Sequence, residues 1–280
     1  MSTAEQEART DGYALGRSRE EYERLRGQAR GWETATGRLL DEIGLAPGAR
    51  CLDAGCGPGE TMRLMAQRVG PAGSVLGIDL DAPLGTDAVA MLHASGHRQC
   101  RFQVHDVTSP VPLPAAPFDL VYARLLLFHL PERVAVLARL WDAVAPGGHL
   151  VVQDYDIGGA RVLPMLHSVD EAMRVLVGAF TAVGCDVHAG ARLPQMFVRA
   201  GIGNPDGTDV AGRLEPLATG RVLVEHTFRS VLPTALEHHI TTETDAAATL
   251  TRLDRDARRF ADRPLMWPLL IGAWKQRDPA

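Results

Sequence analysis

The sequence is almost without lysine: Lys275 is the only lysine among 29 basic residues. A phosphate-binding loop of the Walker type needs a lysine directly after its glycines, so that class of site is excluded. The four cysteines are Cys51, Cys56, Cys100 and Cys185, and no two of them form a C-x-x-C pair, which excludes a zinc ribbon and a thioredoxin-like motif. So few cysteines in 280 residues predict reduced thiols and a cytoplasmic location.

Strong positive charge and long apolar runs are also absent. The 29 basic and 34 acidic residues leave a formal net charge of −5, with no basic run, so a nucleic-acid partner is not expected. No apolar run reaches 18 residues and the N-terminal stretch is polar and charged, so neither membrane insertion nor a signal peptide is predicted. Hydrophobic residues make up 46% of the chain and charged residues 22%, which is typical of a globular protein.

Short apolar runs alternate with helical stretches between residues 49 and 155, and this alternation predicts βαβ units around a parallel sheet. The strands in this region are predicted at 49–54, 74–79, 100–105, 118–123 and 149–155. The helices between them are predicted near 59–69, 83–95 and 132–144, with Pro146-Gly147-Gly148 ending the last one. Two helices are predicted before residue 46. After Tyr155 the predicted elements are helices at 165–183, 190–200 and 230–262, a strand within 204–214 and a final strand at 267–274.

A glycine-rich turn follows the first predicted strand and reads D-x-G-x-G-x-G from Asp53 to Gly59. Glycines allow backbone angles that a side chain forbids and let a ligand approach the main chain. A dinucleotide-binding turn expects a third glycine or alanine where Glu60 stands, so a nicotinamide-dependent enzyme is the weaker alternative. Asp53 would repel a phosphate but attract a ligand that carries an amino group or a sulfonium.

Acidic residues also end or follow the next two predicted strands. Asp79 closes the second strand, 26 residues after Asp53, and Asp106 follows the third. A carboxylate at such a position accepts hydrogen bonds from two hydroxyl groups, such as those of a ribose.

Together, these stretches resemble the class I S-adenosylmethionine-dependent methyltransferases, closest to the branch that acts on quinones and other small molecules. The resemblance covers about residues 45–155 and, more loosely, the whole chain. It implies a Rossmann-like α/β fold, in which a doubly wound, mostly parallel seven-stranded sheet has an antiparallel last strand and a helical cap. It implies S-adenosylmethionine as cofactor, S-adenosylhomocysteine as product and no metal, although the D-x-D pattern of Asp154 and Asp156 is a weak metal candidate.

The resemblance also implies four segments of the chain. Residues 1–45 would form N-terminal helices covering the cofactor site, and residues 46–158 the cofactor-binding core. Residues 159–265 would form a helical cap with one strand that contacts the substrate, and residues 266–280 the last strand of the core sheet.

The expected cofactor-binding residues lie in the turn, at the ends of the strands and on the first helix. They are Asp53, Gly55, Cys56, Gly57, Gly59, Asp79, Leu80, Asp106, Val107, Arg124 and Gln28. Arg124 could bind a carboxylate of the cofactor or of the substrate, or form an ordinary salt bridge. Cys56 is expected to contribute its backbone rather than a nucleophile.

Candidates for chemistry follow the fourth and fifth strands. His129 and Tyr155 are the catalytic candidates, and Tyr13, Phe128, Asp154 and Tyr155 are the residues expected to contact the substrate. His129 is either a general base or a packed residue beside Phe128. Tyr13 and Gln28 belong to a leader that resembles one seen in small-molecule members, where it lies over the cofactor; an amphipathic packing helix is the alternative.

The resemblance implies methyl transfer to a small, partly apolar molecule, with oxygen, nitrogen and carbon acceptors all open. The alternative is an S-adenosylmethionine-binding enzyme of this fold that catalyses a cyclisation or pericyclic reaction without methyl transfer. A homodimer is possible.

Overall fold

A computed structural model describes the backbone of residues 19–279 and the side chains of residues 22–279. The helices in chain order are α1 (Arg19–Gly31), α2 (Glu33–Glu42), α3 (Glu60–Val69), α4 (Ala82–Ala94), α5 (Arg133–Asp142), α6 (His167–Ala182), α7 (Ala189–Arg199), α8 (Leu217–Glu237) and α9 (Glu243–Arg259). The strands are β1 (Arg50–Ala54), β2 (Ser74–Asp79), β3 (Cys100–Val104), β4 (Phe118–Arg124), β5 (Val144–Asp156), β6 (Arg161–Val162), β7 (Gly207–Ala211), β8 (Leu214–Pro216), β9 (Pro264–Met266) and β10 (Leu269–Gln276).

The chain divides into two compact units. The sheet unit comprises Leu25–Tyr155, Ala189–Ala211 and the described residues from Leu270 onward. The helical unit comprises Asp156–His188 and Gly212–Leu269, with the described residues before Leu25.

The sheet unit is built on a seven-stranded sheet with the order β3-β2-β1-β4-β5-β10-β7. The central strand β1 runs parallel to both neighbours, and Asp53 lies beside Gly77 of β2 and Tyr122 of β4. β5 is parallel to β4, with Gln153 beside Arg124, while β10 is antiparallel to β7. The predicted mostly parallel, doubly wound sheet of seven strands is confirmed.

Alternate residues of these strands face opposite sides of the sheet. On one side, α2 and α3 bury an apolar cluster that contains Leu39, Cys51, Met62 and Val151. Its burial provides the main hydrophobic stabilisation of this side of the sheet. Asp53 lies two residues after Cys51 on β1, so its side chain faces the same side of the sheet. Polar side chains therefore lie next to the apolar cluster on this face.

The helical unit has its own core and its own sheet. Helices α6, α8 and α9 pack on one another and bury large side chains such as Phe180, Phe228 and Leu253. The sheet of this unit has three antiparallel strands in the order β6-β9-β8. Apolar side chains in the helical segments after Tyr155 therefore fill an ordinary helical core for the most part.

The predicted helix at 230–262 was wrong, because the structure has two helices there. α8 already begins at Leu217 and contains Pro233, and α9 begins at Glu243. The break lies at 238–242, where His239 has a φ of 55° and the side chain of Thr242 accepts a hydrogen bond from the backbone N–H of Asp245. A threonine in this position favours the start of the second helix because it satisfies a free N–H of the first turn.

The stretch Pro146-Gly147-Gly148 was predicted to turn the chain into the fifth strand, but it lies inside β5, which begins at Val144. The register against β4 shifts at this point, as in a β-bulge. Gly147 has a φ of 78°, and a Cβ on Gly148 would lie 2.8 Å from the carbonyl oxygen of Asp119. The glycines therefore allow the bulge and the close approach of β4.

The compact units have other boundaries than the predicted segments. α7 and β7, which fall within the predicted cap at 159–265, belong to the sheet unit. That range contains all or part of four strands, β6 to β9, where one strand was predicted. Among the helices of residues 19–279, none combines the length and apolarity needed to cross a membrane.

Candidate active site

The glycine turn between β1 and α3 is held against the end of β2 by its backbone. The N–H groups of Gly55 and Cys56 both donate to the carbonyl oxygen of Ile78, at 2.9 and 3.0 Å. Gly55, Gly57 and Gly59 have φ values of 70°, 47° and 79°, which other residues rarely adopt. A Cβ on Gly55 would also lie 2.9 Å from Cδ1 of Leu126. The turn thus depends on glycine for its angles and, at Gly55, for space.

The carboxylate of Asp79 is oriented by two backbone donors at the end of β2. The N–H of Gly57 donates to Oδ2 at 2.9 Å, and the N–H of Asp81 donates to Oδ1 at 3.0 Å. Burial raises the pKa of Asp79, and these backbone hydrogen bonds oppose the rise. Because each carboxylate oxygen has a second lone pair, both can accept a further hydrogen bond from a ligand.

Asp53 is a buried carboxylate with one unsatisfied oxygen. Its side chain is on β1 and 1% of the residue is exposed. Within the described residues, Oδ2 has no hydrogen-bond partner. Burial raises the pKa of Asp53 to about 7, Arg124 counteracts this rise and Asp79 adds to it. A buried oxygen without a donor is costly, so this atom marks a place for a ligand that brings a proton donor or a positive charge.

A row of polar side chains extends from Asp53 across the same face of the sheet. The hydroxyl groups of Thr36 and Tyr122 donate to Oε1 of Gln153, at 2.8 and 2.5 Å. A guanidinium N–H of Arg124 donates to the hydroxyl of Thr36 at 3.1 Å and lies 3.5 Å from the carbonyl oxygen of Ala29. Within the part of the chain that is described, Nε2 of Gln153 is buried without a hydrogen-bond partner. These contacts join α2 to the ends of β4 and β5.

Tyr155, at the end of β5, receives two hydrogen bonds on its hydroxyl oxygen. Nε2 of Gln28 donates at 2.8 Å, and the indole N–H of Trp32 donates at 2.7 Å. The rings of Trp32 and Tyr155 also meet edge to face, with centroids 6.1 Å apart. Gln28, which was predicted to bind the cofactor, thus contacts the predicted catalytic residue Tyr155.

Asp154 points to the opposite side of β5 and organises the short 3₁₀ turn at Leu127–His129. Its carboxylate accepts the backbone N–H groups of Phe128 and Tyr155, each at 2.9 Å. Complete burial raises the pKa of Asp154 to about 7. The ring of His129 lies edge to face against Phe128, with centroids 4.9 Å apart. The carboxylate of Asp154 therefore accepts hydrogen bonds from backbone N–H groups. Phe128 is buried.

Asp106 and the residues around it form a turn after β3. Its Oδ1 accepts the backbone N–H of Thr108 at 2.8 Å and the hydroxyl of Thr108 at 2.6 Å. Val107 is buried and Leu80, after β2, is exposed. Cys56 is buried, and burial raises the pKa of its thiol, so it is poorly suited to act as a nucleophile.

The structure brings several predicted residues into direct contact: Gly57 with Asp79, Gln28 with Tyr155, and Phe128 with Asp154. Tyr13 lies outside the described residues. The sequence analysis missed Trp32 and Thr36. Strand alternation indicates that Tyr122, Arg124, Gln153 and Tyr155 share a face, but no local pattern shows which helix residues cover it.

The geometry agrees with the comparison of the sequence with protein families. A family described as "Methyltransferase domain" matches residues 51–148, which run from β1 into β5. Residues 51–148 therefore match a methyltransferase domain, as the resemblance to the class I S-adenosylmethionine-dependent methyltransferases predicted. The predicted family is thereby confirmed.

The chain is similar to methyltransferases from other organisms. It is 30% identical to Methyltransferase str2 of Strobilurus tenacellus over 191 residues, which are 68% of this chain and 66% of that protein. It is 38% identical to Trans-aconitate 2-methyltransferase of Variovorax paradoxus over 117 residues, which are 41% of this chain and 42% of that protein. The matched segments thus span less than two thirds of the relatives' length.

Solved structures agree on the fold. The crystal structure of the YcgJ protein from Bacillus subtilis superposes with a TM-score of 0.58 and 15% identity, covering 88% of this chain and 99% of that one. At this identity the likeness shows the Rossmann-like methyltransferase fold alone.

S-adenosylmethionine fits the residues of this site. The cofactor carries ribose hydroxyls, which suit the oriented carboxylate of Asp79, and an amino group, which suits the unsatisfied oxygen of Asp53. Among the described residues, no group of three or more His, Cys, Asp or Glu side chains is arranged to hold a metal ion. Asp154 binds backbone N–H groups, and Asp156 accepts the N–H of Gly158 and contacts Nδ1 of His188.

Proposed function

We propose that this protein transfers a methyl group from S-adenosylmethionine to a small organic molecule and releases S-adenosylhomocysteine. The observation that carries the proposal is the pair of carboxylates at the ends of β1 and β2. Asp79 is fixed by two backbone N–H groups, and Asp53 keeps a buried oxygen without a partner. A ligand with two hydroxyl groups and one cationic group satisfies both.

When bound, S-adenosylmethionine supplies a methyl carbon already activated by a positively charged sulfur. The protein then has to position the acceptor and exclude water, and such positioning accounts for about 7–11 kcal/mol of barrier reduction in favourable cases. Thr36 and Arg124 join α2 to the sheet beside Asp53, and Gln28 and Trp32 join the α1–α2 junction to Tyr155. We propose that these helices cover the cofactor and keep water from the reacting atoms.

A small acceptor is favoured over a macromolecule for two reasons. The net charge is −5, and the sequence has no basic run suited to the phosphates of a nucleic acid. The relatives named above include a trans-aconitate methyltransferase, whose printed name denotes a small molecule.

The test combines binding and turnover. Calorimetric titration with S-adenosylhomocysteine should show one binding site, and incubation with methyl-labelled S-adenosylmethionine and a metabolite extract should give a product that carries the labelled methyl group in place of one hydrogen of its acceptor. Failure to bind S-adenosylhomocysteine, or binding of NAD in its place, would overturn the proposal. Binding with conversion of a metabolite but without label transfer would instead indicate a non-methylating enzyme.

We further propose that the protein acts in the cytoplasm and forms a homodimer. The four cysteines of the described region are buried and free, as expected for a reducing compartment. Exposed apolar side chains of the helical unit, Met165 (71% exposed) and Leu214 (62%), are candidates for a subunit contact. Light scattering should give twice the chain mass of 30.2 kDa, whereas a monomeric mass contradicts the dimer.

A further inference from the structure

Tyr155 and its two hydrogen-bond donors form an arrangement that goes beyond packing α1 and α2 against the sheet. Gln28 Nε2 and the Trp32 indole N–H both point at the phenolic oxygen, at 2.8 and 2.7 Å. A phenol oxygen that accepts two N–H groups gains most from them when it is negatively charged, because hydrogen bonds to the charged form of a group favour that form. Preorganised donors of this kind resemble an oxyanion hole in their effect.

The side chains involved are well ordered by packing. Trp32 is 2% exposed and Tyr155 is 9% exposed, so water competes little for the hydroxyl. The edge-to-face contact of the two rings fixes their orientation. Tyr155 ends β5, at the carboxyl edge of the sheet where ligands of open α/β sheets bind.

The charged side chains of α1 and α2 include both signs. On α1 and α2, Arg30 is paired with Glu60 and Glu33 with Arg63. Arg26, on α1, adds positive charge. On β4, Arg124 contacts Thr36 and the carbonyl oxygen of Ala29.

The carboxylate of Asp156, which follows Tyr155, accepts the N–H of Gly158 and contacts Nδ1 of His188. The other neighbouring carboxylate is that of Asp154. It points to the other side of β5, where the N–H groups of Phe128 and Tyr155 donate to it. Both hydrogen bonds described for the phenol oxygen come from N–H donors.

We propose that Trp32 and Gln28 are positioning residues that stabilise the ionised form of Tyr155, so that Tyr155 removes the proton from a hydroxyl acceptor. The inference rests on the proposed function and narrows it to phenolic or enolic oxygen. The O–H bond of the acceptor breaks and its proton passes to the Tyr155 oxygen. The acceptor oxygen forms the bond to the methyl carbon while the bond from that carbon to sulfur breaks, and its electron pair stays on sulfur.

The decisive measurement is a pH titration of the Tyr155 hydroxyl. It can be made without a substrate. The chain has only four tyrosines, so ¹³Cζ-tyrosine labelling gives four signals, and the variant Y155F identifies the signal of Tyr155. Tyr122 provides an internal reference, because burial raises its pKa. We expect Tyr155 to ionise at lower pH than Tyr122.

Two variants each remove one donor. Trp32→Phe keeps a ring but lacks the N–H, and Gln28→Leu removes the amide. Each should raise the midpoint of the Tyr155 titration by about one pH unit, as expected for the loss of one hydrogen bond to a charged group. Trp141→Phe, which retains a ring over Arg277, is the matched control and should leave the midpoint unchanged.

The midpoint of the Tyr155 titration shows whether Trp32 and Gln28 stabilise the phenolate or have only a structural role. If Trp32 and Gln28 only fasten the helices, both variants lose thermal stability but shift the midpoint by less than about 0.3 units, and the inference is wrong. Affinity for S-adenosylhomocysteine, measured by calorimetry, reports the proposed function independently.

A second measurement uses turnover. With a hydroxyl acceptor from the extract, both variants should lower kcat while KM for S-adenosylmethionine stays within about twofold, and the acidic limb of the pH–rate profile should move to higher pH. If only amines or carboxylates are methylated, the assignment of Tyr155 as base is wrong even though the protein is a methyltransferase.

Discussion

The backbone N–H of Gly57 donates a hydrogen bond of 2.9 Å to Oδ2 of Asp79. This contact ties the tip of the glycine turn after β1 to the carboxylate that ends β2. Gly57 can present its N–H in this direction because its φ is 47°. The turn and the carboxylate therefore form one rigid element, and a change in either alters the geometry of the other.

Replacing Asp79 by alanine should weaken the binding of S-adenosylhomocysteine by roughly 1–3 kcal/mol, because a charged hydrogen-bond acceptor is lost. Calorimetric titration measures the effect. Asp87→Ala, at an exposed position of α4, is the control and should bind like the unaltered protein. Unchanged affinity of Asp79→Ala would remove Asp79 from the cofactor site.

Alanine at Gly55 should destabilise the protein more than alanine at Gly57. Both positions have positive φ, which costs roughly 1–2 kcal/mol for a residue with a side chain. Only at Gly55 does the added Cβ meet a neighbour, Cδ1 of Leu126 at 2.9 Å; at Gly57 nothing lies within 4 Å. Urea unfolding gives the two free energies, and equal losses would show that Leu126 moves aside at no cost.

Replacing Asp53 by asparagine should stabilise the protein above pH 7 while weakening S-adenosylhomocysteine binding. Burial raises the pKa of Asp53 in the folded state to about 7, against about 3.9 in the unfolded chain. Its contribution to stability is therefore fully present below pH 3.9, within about one unit, and is lost as the pH rises through about 7. Asparagine does not titrate, so the variant does not lose this free energy of unfolding as the pH rises.

The unfolding free energy of Asp53→Asn relative to the unaltered protein should rise by up to about 4 kcal/mol between pH 4 and pH 8, within about one pH unit at each end. Urea unfolding at several pH values measures it, with Asp87→Asn as a control that should show no such rise. A difference that stays constant over this pH range would mean that Asp53 is not a buried ionisable group of the folded protein.

Replacing His129 by alanine distinguishes a general base from a packed residue. If His129 is the base, its loss should lower kcat by about 10²–10⁴-fold with little change in S-adenosylhomocysteine affinity. A packed residue, held edge to face against Phe128, would affect stability and leave kcat close to normal. His97→Ala, in the loop between α4 and β3, controls for the loss of an imidazole elsewhere.

Much of the sheet unit could be predicted from the sequence because its signals are local. The strands β1 and β2 were predicted within one residue, and the glycine turn after β1 was also predicted, since an apolar run, glycines and an acidic residue follow one another over a short stretch. The bulge at Gly147 could not be predicted, because the same proline and glycines also suit a turn between elements. Likewise, Pro233 is tolerated inside α8, which a local rule for proline does not anticipate.

The sequence by itself determined the family, the glycine turn and the positions of the parallel strands along the chain, because these depend on backbone angles, alternation and short spacings. Only the tertiary structure decided that Trp32 and Gln28 bind the hydroxyl of Tyr155, more than 120 positions away along the chain, and that Thr36 binds Gln153. Such contacts arise where a helix crosses the end of a sheet. Periodicity shows which face of each element is buried, but the chain pairs those faces only when it folds.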